Sequence, residues 1–269
     1  MINADDFGIT EGVNRGILEA HAAGAVSSAS MLVNMPGWDD ALERLARSPG
    51  SLGIGLHLNL VAGNPLTGAP TLTDRASGSF HSLRALAWRA VTGRVRPGDV
   101  RAECEAQLDR LSHAGVRVTH VDSHRHAHCL PGLFPAVRDA AAAAGVHVIR
   151  VPKEPWGAGP AGPGVLLKKA ALYAGVAMSG ARAADARAAF IGVSLQETPD
   201  FAVQVLALLD ALPPVPCELA VHPGYDSPEL RRLDPYTHVR ERELRALMSP
   251  ELHDRLGRGD IELVTFAEI

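Results

Sequence analysis

Leu52-Gly53-Ile54-Gly55-Leu56-His57-Leu58-Asn59-Leu60 alternates without a break. On an extended chain Ile54, Leu56, Leu58 and Leu60 share one face, and Gly53, Gly55, His57 and Asn59 share the other. In a barrel of parallel strands the apolar face packs against helices. The polar face looks into the lumen near the carboxyl end of its strand. His57 and Asn59 would then face the lumen together. The plainer alternative for His57 is a buried ring satisfied by a backbone carbonyl.

Outward from this strand, the chain reads as strands alternating with helices. Val13, Ile17 and Ala20 recur at helical spacing over 11–23, with Thr10 able to cap the start and Gly24 the end. Residues 25–34 read as a strand. Trp38, Ala41, Leu42 and Leu45 form a second helical stripe closed by Pro49-Gly50. Further helices are expected over 100–114, 133–144, 165–178, 200–212 and 239–255. Short buried strands are expected over 116–121, 146–151, 190–193, 218–222 and 261–266.

About eight strands alternating with about seven helices imply an α/β fold on a parallel sheet, with function at the carboxyl ends of the strands. Closure into a distorted, TIM-barrel-like (β/α) barrel is favoured over an open sheet. An open dinucleotide-binding sheet needs a glycine-rich turn after its first strand, and Asp5-Asp6-Phe7-Gly8 is not one. No internal repeat is evident, and residues 1–269 read as one domain. Its one low-complexity stretch, 155–164, is too rich in Gly and Pro for regular structure and reads as a mobile loop, either a lid or a plain linker.

With 269 residues and 46% hydrophobic content the chain can bury a sizeable core. A formal net charge of −4 offers no basic field for a polyanion, which argues against nucleic acid and anionic membrane as partners. Three scattered cysteines, Cys104, Cys129 and Cys217, make neither a disulfide framework nor a zinc ribbon and suit reduced thiols in the cytoplasm. The amino end lacks the basic start and apolar core of a signal peptide, and residues 165–178 are too short and too broken by Lys168 and Lys169 to span a membrane. The expected partner is a neutral or mildly polar small molecule. A homodimer is left open.

Chemistry concentrates at a few strand ends. His120-Val121-Asp122-Ser123-His124-Arg125-His126-Ala127-His128 packs four of the twelve histidines beside a carboxylate, between a strand and a helix. Imidazole and carboxylate are the usual ligands of catalytic divalent metals, though the run alone does not say which rings bind. Asp5 and Asp6 are adjacent carboxylates, a costly pair unless a cation or donor compensates. At a strand's end the turn can bring both to one centre, so that one ligates a metal and the other stays free as a base. A simple acidic helix cap before Thr10 is the plainer reading. In Val221-His222-Pro223-Gly224-Tyr225, Pro223 and Gly224 force a turn that exposes His222, a candidate general acid. Arg150, in Arg150-Val151-Pro152, either contacts substrate or forms an ion pair. Trp38, Trp88, Trp156 and Tyr225 are the candidate sugar-stacking platforms in a chain that is only 4% aromatic.

Asn3-Ala4-Asp5-Asp6-Phe7-Gly8, Gly55-Leu56-His57-Leu58-Asn59-Leu60, His120-Val121-Asp122-Ser123-His124, Arg150-Val151-Pro152 and His222-Pro223-Gly224 occur in an order and spacing that resembles the YdjC/ChbG-like carbohydrate deacetylases. The resemblance covers nearly the whole chain. It implies a barrel-like fold and removal of acetyl groups from N-acetylated amino sugars, chitooligosaccharides such as diacetylchitobiose being the type. It implies one divalent metal held by Asp6, His57 and His124, with Asp5 as catalytic base. Magnesium is the metal usually named for the family, but two imidazoles and one carboxylate suit zinc or another transition ion better. His222 would protonate the departing amine, and Asn59, Arg150 and Tyr225 would contact the sugar. Two other classes stay open: another metal-dependent sugar or phosphoester hydrolase on the same barrel, and a non-catalytic sugar-binding protein. Only Met1 and Ile2 precede the Asn-Ala-Asp-Asp word, so the first strand is expected to be short or incomplete.

Overall fold

A computed structural model describes residues 1–47, 52–196 and 198–269. The Pro49-Gly50 helix stop lies outside the described residues. The elements in chain order are β1 (Ile2–Phe7), α1 (Glu11–Ala22), β2 (Ser28–Met31), α2 (Trp38–Arg47), β3 (Gly53–Leu58), α3 (Leu83–Val91), α4 (Pro97–His113) and β4 (Val118–Ser123). There follow α5 (Phe134–Ala143), α6 (Pro163–Ser179), β5 (Ala189–Ile191), α7 (Phe201–Asp210), β6 (Cys217–Val221), α8 (Leu230–Leu233), α9 (Arg240–Leu247) and α10 (Pro250–Leu256).

The strands pair in the order β4-β3-β2-β1-β6-β5, every pair parallel. They curl into a half-barrel with helices around it. On β3 both faces are buried: Leu56 and Leu58 are fully covered, as is Leu60 just beyond the strand, while Gly53, Gly55 and His57 face side chains of neighbouring strands. The glycines on the inner face leave room for side chains from neighbouring strands. A Cβ on Gly55 would lie 2.4 Å from the His120 ring, which is stacked on Phe266 with centroids 3.8 Å apart. The lumen is thus filled by rings that the glycine face admits.

Among the described residues six strands form the sheet rather than eight. The segment 146–151 makes one bridge, Val121 to Ile149, and two backbone hydrogen bonds around it, so it extends the edge beyond β4 without a full ladder. Residues 261–266 form no strand and lead into a single turn at Phe266–Glu268. The helix expected over 239–255 is two. Pro250 takes the first-turn position of α10, where its missing N–H is harmless, and Ser249 Oγ caps the new start by accepting from Leu252 N at 3.3 Å. α3 went unread in the sequence. The first strand is not short, because the Asn-Ala-Asp-Asp word is itself most of β1, buried throughout.

The Gly/Pro-rich stretch starts as an irregular segment and becomes helix at Pro163. It is fastened from below: the buried Lys169 ammonium donates to the carbonyls of Pro155 at 2.9 Å and Ala158 at 2.7 Å. Lys169 Nζ also lies 3.0 Å from Glu154 Oε1. Glu154 Oε2 in turn accepts from the backbone N–H groups of Gly192, Val193 and Ser194, just past β5. One buried ion pair therefore joins the loop, α6 and the end of β5. No helix among the described residues is long and apolar enough to cross a membrane.

Candidate active site

Asp5 and Asp6 reach the same centre because β1 is bulged. Ala4 pairs with Ala29 and Phe7 with Met31, so β1 spends one more residue than β2 over that interval, and Asp6 sits in the left-handed region at φ 69°. An extra residue re-aims the side chains that a regular pleat would point to opposite faces. Aspartate is among the few residues that accept this conformation.

Each carboxylate meets its own arginine. Arg150 donates from Nη1 to Asp5 Oδ2 at 2.7 Å and from Nη2 to Asp5 Oδ1 at 2.8 Å, while Asn3 Nδ2 donates to the same Oδ1 at 2.8 Å. Arg240 Nη2 donates to Asp6 Oδ2 at 2.6 Å. Burial pushes both carboxyls up, but Arg150 outweighs it at Asp5, and Arg240 with His124 outweighs it strongly at Asp6. Both remain ionised.

Asp6 Oδ1 faces two imidazoles, His124 Nδ1 at 2.8 Å and His57 Nε2 at 3.3 Å. One donor atom from each of Asp6, His57 and His124 lies within 4.8 Å of the others. The far nitrogen of His57 is oriented by Asp122, whose Oδ1 is 2.7 Å from Nδ1. A carboxylate behind an imidazole is the usual support of a metal-binding histidine. Despite burial, Asp122 and Asp5 push the His57 ring up to about 10, and Asp6 raises His124 as well. The surrounding carboxylates thus favour positive charge at both rings. A divalent cation on two neutral rings would bring the same charge as the protons it displaced, so the residues fit such an ion. The donor set is one carboxylate oxygen and two imidazole nitrogens.

A second grouping of possible ligands, Asp5, His57 and Asp122, overlaps the first at His57. Its carboxylates are already claimed, since Arg150 Nη2 lies 2.7 Å from Asp122 Oδ2 and grips Asp5 with both terminal nitrogens. Ser30 Oγ donates to the same Asp122 oxygen at 2.6 Å.

The remaining histidines of the run divide by contact. His120 is buried under Phe266, with Nε2 3.1 Å from Ser30 Oγ. His128 Nε2 lies 2.8 Å from the Arg150 carbonyl and its other nitrogen meets Ser123 Oγ. His126 stands edge-on to Phe190 and lines the cleft. Burial lowers His120 and His128 to about 4 and His126 to about 3, so all three are neutral. Arg125 and His126 both sit in the left-handed region, at φ 54° and 53°. Backbone strain of this kind gathers at functional sites.

A cleft of about 350 Å³ opens above this floor at the carboxyl ends of the strands. Asp5, Asp6, His57, His124 and His222 all line it. His222 is half-buried, its Nε2 3.9 Å from Asp5 Oδ2 and its ring 5.1 Å from that of Tyr236. Five of the eight residues singled out in the sequence therefore converge. The other three do not line the cleft. Asn59 spends its side chain on a turn, donating to Asn34 and the Ala62 carbonyl and accepting from Val61 N and Ala62 N. Arg150 lies beneath the floor as an ion-pair partner. The Tyr225 hydroxyl donates to Glu19 at 2.5 Å, with Arg15 stacked on its ring. Neither do the three tryptophans line it.

Sequence reasoning missed Asp234, Tyr236 and Arg240. Asp234 Oδ2 is 3.2 Å from His124 Nε2 and 3.3 Å from Arg125 Nη2, and its carboxyl is lowered to about 2 against the effect of burial, mainly by His124. Arg240 is wholly buried and lines the cleft. The one signal for it was indirect: two adjacent buried carboxylates demand cations, without saying which.

Residues 1–258 match the family described as YdjC-like protein. A carbohydrate deacetylase of Brevibacillus brevis is 34% identical over 271 residues, covering 100% of this chain and 98% of the relative. One from Vibrio cholerae is 32% identical over 272 residues, covering 100% and 95%. A crystal structure from Enterococcus faecalis V583, described as a cellobiose-phosphate cleavage protein, superposes with a TM-score of 0.77 at 26% identity, covering 100% of this chain and 97% of that one.

Proposed function

The chain belongs to the YdjC-like protein family, and on that basis we propose that it is a metal-dependent carbohydrate N-deacetylase that removes the acetyl group from an N-acetylated amino sugar. One observation carries the reading. The β1 bulge sets an ionised, arginine-held Asp5 beside a carboxylate–imidazole–imidazole donor set at the floor of a cleft. The full-length relatives that bear the name carbohydrate deacetylase support it.

In this scheme Asp6, His57 and His124 hold the ion, zinc or another transition ion by donor type. When bound, it supplies a Lewis acid that polarises the acetyl carbonyl. Asp5 accepts a proton from the attacking water at a carboxylate oxygen, and Arg150 keeps it in the accepting form. His222 Nε2 delivers a proton to the sugar amine as its bond to the acetyl carbon breaks, and acetate leaves. Asp122 keeps His57 Nε2 turned toward Asp6. Leu83, Leu172 and Val193 line the cleft and limit access of bulk water to the floor.

A second reading is hydrolysis of a phosphorylated sugar. Arg125 and Lys168 line the cleft, and the Enterococcus faecalis neighbour bears a name of that kind. One experiment separates the two. Purified protein loaded with zinc, manganese or magnesium is incubated with N-acetylglucosamine oligomers and with a phosphorylated disaccharide, and acetate and inorganic phosphate are measured. Chelator-sensitive acetate release is expected; phosphate release without acetate would overturn the deacetylase reading.

A further inference from the structure

Arg150 is gripped from two sides. Its terminal nitrogens hold Asp5, while Nε donates to Glu218 Oε1 at 2.6 Å. Glu218 is on β6, whose neighbours Leu219 and Ala220 pair in register with Ile2 and Asn3, so it stands toward the amino end of the half-barrel, below Asp5. It is almost fully buried, and nothing in the scheme above uses it.

Charge balance does not account for it. Asp5 and Asp122 are already met by Arg150 and by the raised His57 ring. A third buried carboxylate adds repulsion, and burial drives the Glu218 carboxyl up to about 7 in spite of Arg150. Geometry does account for it. A guanidinium is a rigid planar fork whose Nε edge and terminal edge move together. Glu218 Oε1 sits against the Nε edge, 2.6 Å from Nε and 2.5 Å from Nη2, and it satisfies Nε, which would otherwise be buried without a partner. It thereby fixes the plane of the fork.

We infer that Glu218 is a positioning residue for the deacetylation, holding the Arg150 guanidinium and through it the orientation of the Asp5 carboxylate toward the cleft. This rests on the reading of Asp5 as the proton acceptor.

Three variants test it. Glu218→Gln keeps an acceptor for Nε, Glu218→Ala removes it, and Glu218→Asp withdraws it by one methylene. Small misplacements of a catalytic group cost up to about 100-fold in rate. Glu218→Ala and Glu218→Asp should therefore lose roughly 10- to 100-fold in kcat. KM and metal stoichiometry should stay as in the parent, and Glu218→Gln should recover most of kcat. If Glu218→Ala fails to fold, Glu218→Asp decides. Parental kcat in the shortened variants would overturn the inference, as would a Gln variant as slow as they are. Crystal structures separate its failure from that of the deacetylase reading. If the parent protein releases no acetate, that reading falls; a rotated Asp5 carboxylate in Glu218→Asp would still support the positioning role, and an unmoved one would overturn it.

Discussion

Arg240 donates through Nη2 to Asp6 Oδ2 at 2.6 Å, joining residues 234 positions apart and leaving the other Asp6 oxygen to His57 and His124. The carboxylate is thereby divided: one oxygen is neutralised by a fixed cation, the other faces the two imidazoles.

That division predicts how metal binding fails. His124→Ala and His57→Ala should each lose the ion, read as metal stoichiometry after gel filtration. Asp122→Asn changes the group behind His57, which also meets Arg150 and Ser30, and should weaken affinity by about 10- to 100-fold without abolishing it. Stoichiometric metal in His124→Ala would remove that ring from the site.

Asp5 should behave differently. Asp5→Asn is expected to reduce acetate release by at least about 100-fold, the lower end of what a general base contributes, while metal content stays as in the parent. Full turnover in this variant would end its role as proton acceptor.

The Glu154–Lys169 pair offers a test of the fold rather than the chemistry. Lys169→Met leaves a buried carboxylate facing only backbone N–H groups. Breaking a buried ion pair from one side costs about 3–5 kcal/mol. Urea titration should show that loss, and a midpoint unchanged from the parent would mean the pair contributes nothing net.

Stability of the metal-free protein should fall as pH drops from 6.5 toward 4. His120, His126 and His128 are depressed to about 4, 3 and 4, so below the ordinary value of 6.5 the unfolded chain takes up protons that the folded chain refuses. Glu218 opposes it, because its carboxyl, raised to about 7, takes up a proton in the folded chain above the ordinary carboxylate range, but it is one group against three. His57 and His124 do not offset it. Both are raised, so their contribution is complete below 6.5 and is lost only as pH rises toward about 10 for His57. The depressed carboxylates Asp5, Asp6 and Asp234 lose theirs only as pH falls below about 4. Denaturant midpoints that stay flat between pH 6.5 and 4 would contradict the burial of the three neutral rings.

Much of the architecture could be read locally. The alternation over 52–60 placed His57 on an inner face, and the helical stripes marked most of the outer layer, because period 2 and period 3.6 are properties of neighbouring residues. Failures came where one position decided: Ser249-Pro250 split a helix, and 261–266 had a strand's composition but no ladder. Asn59, expected beside His57, does not line the cleft, because its amide closes a turn at the strand's end.

What the sequence alone determined is the set of chemical groups and the strand ends on which most of them sit: Asp5 and Asp6, His57, His124 and His222. Tertiary structure decided which of them act together and what each is bonded to. The bulge that turns two adjacent aspartates to one side arises from the register of β1 against β2. The arginines that hold them arrive from residues 150 and 240. Carboxylates close in sequence repel wherever they are, but the cations that make their burial tolerable are supplied by chain folding across the barrel, and no local pattern encodes that meeting.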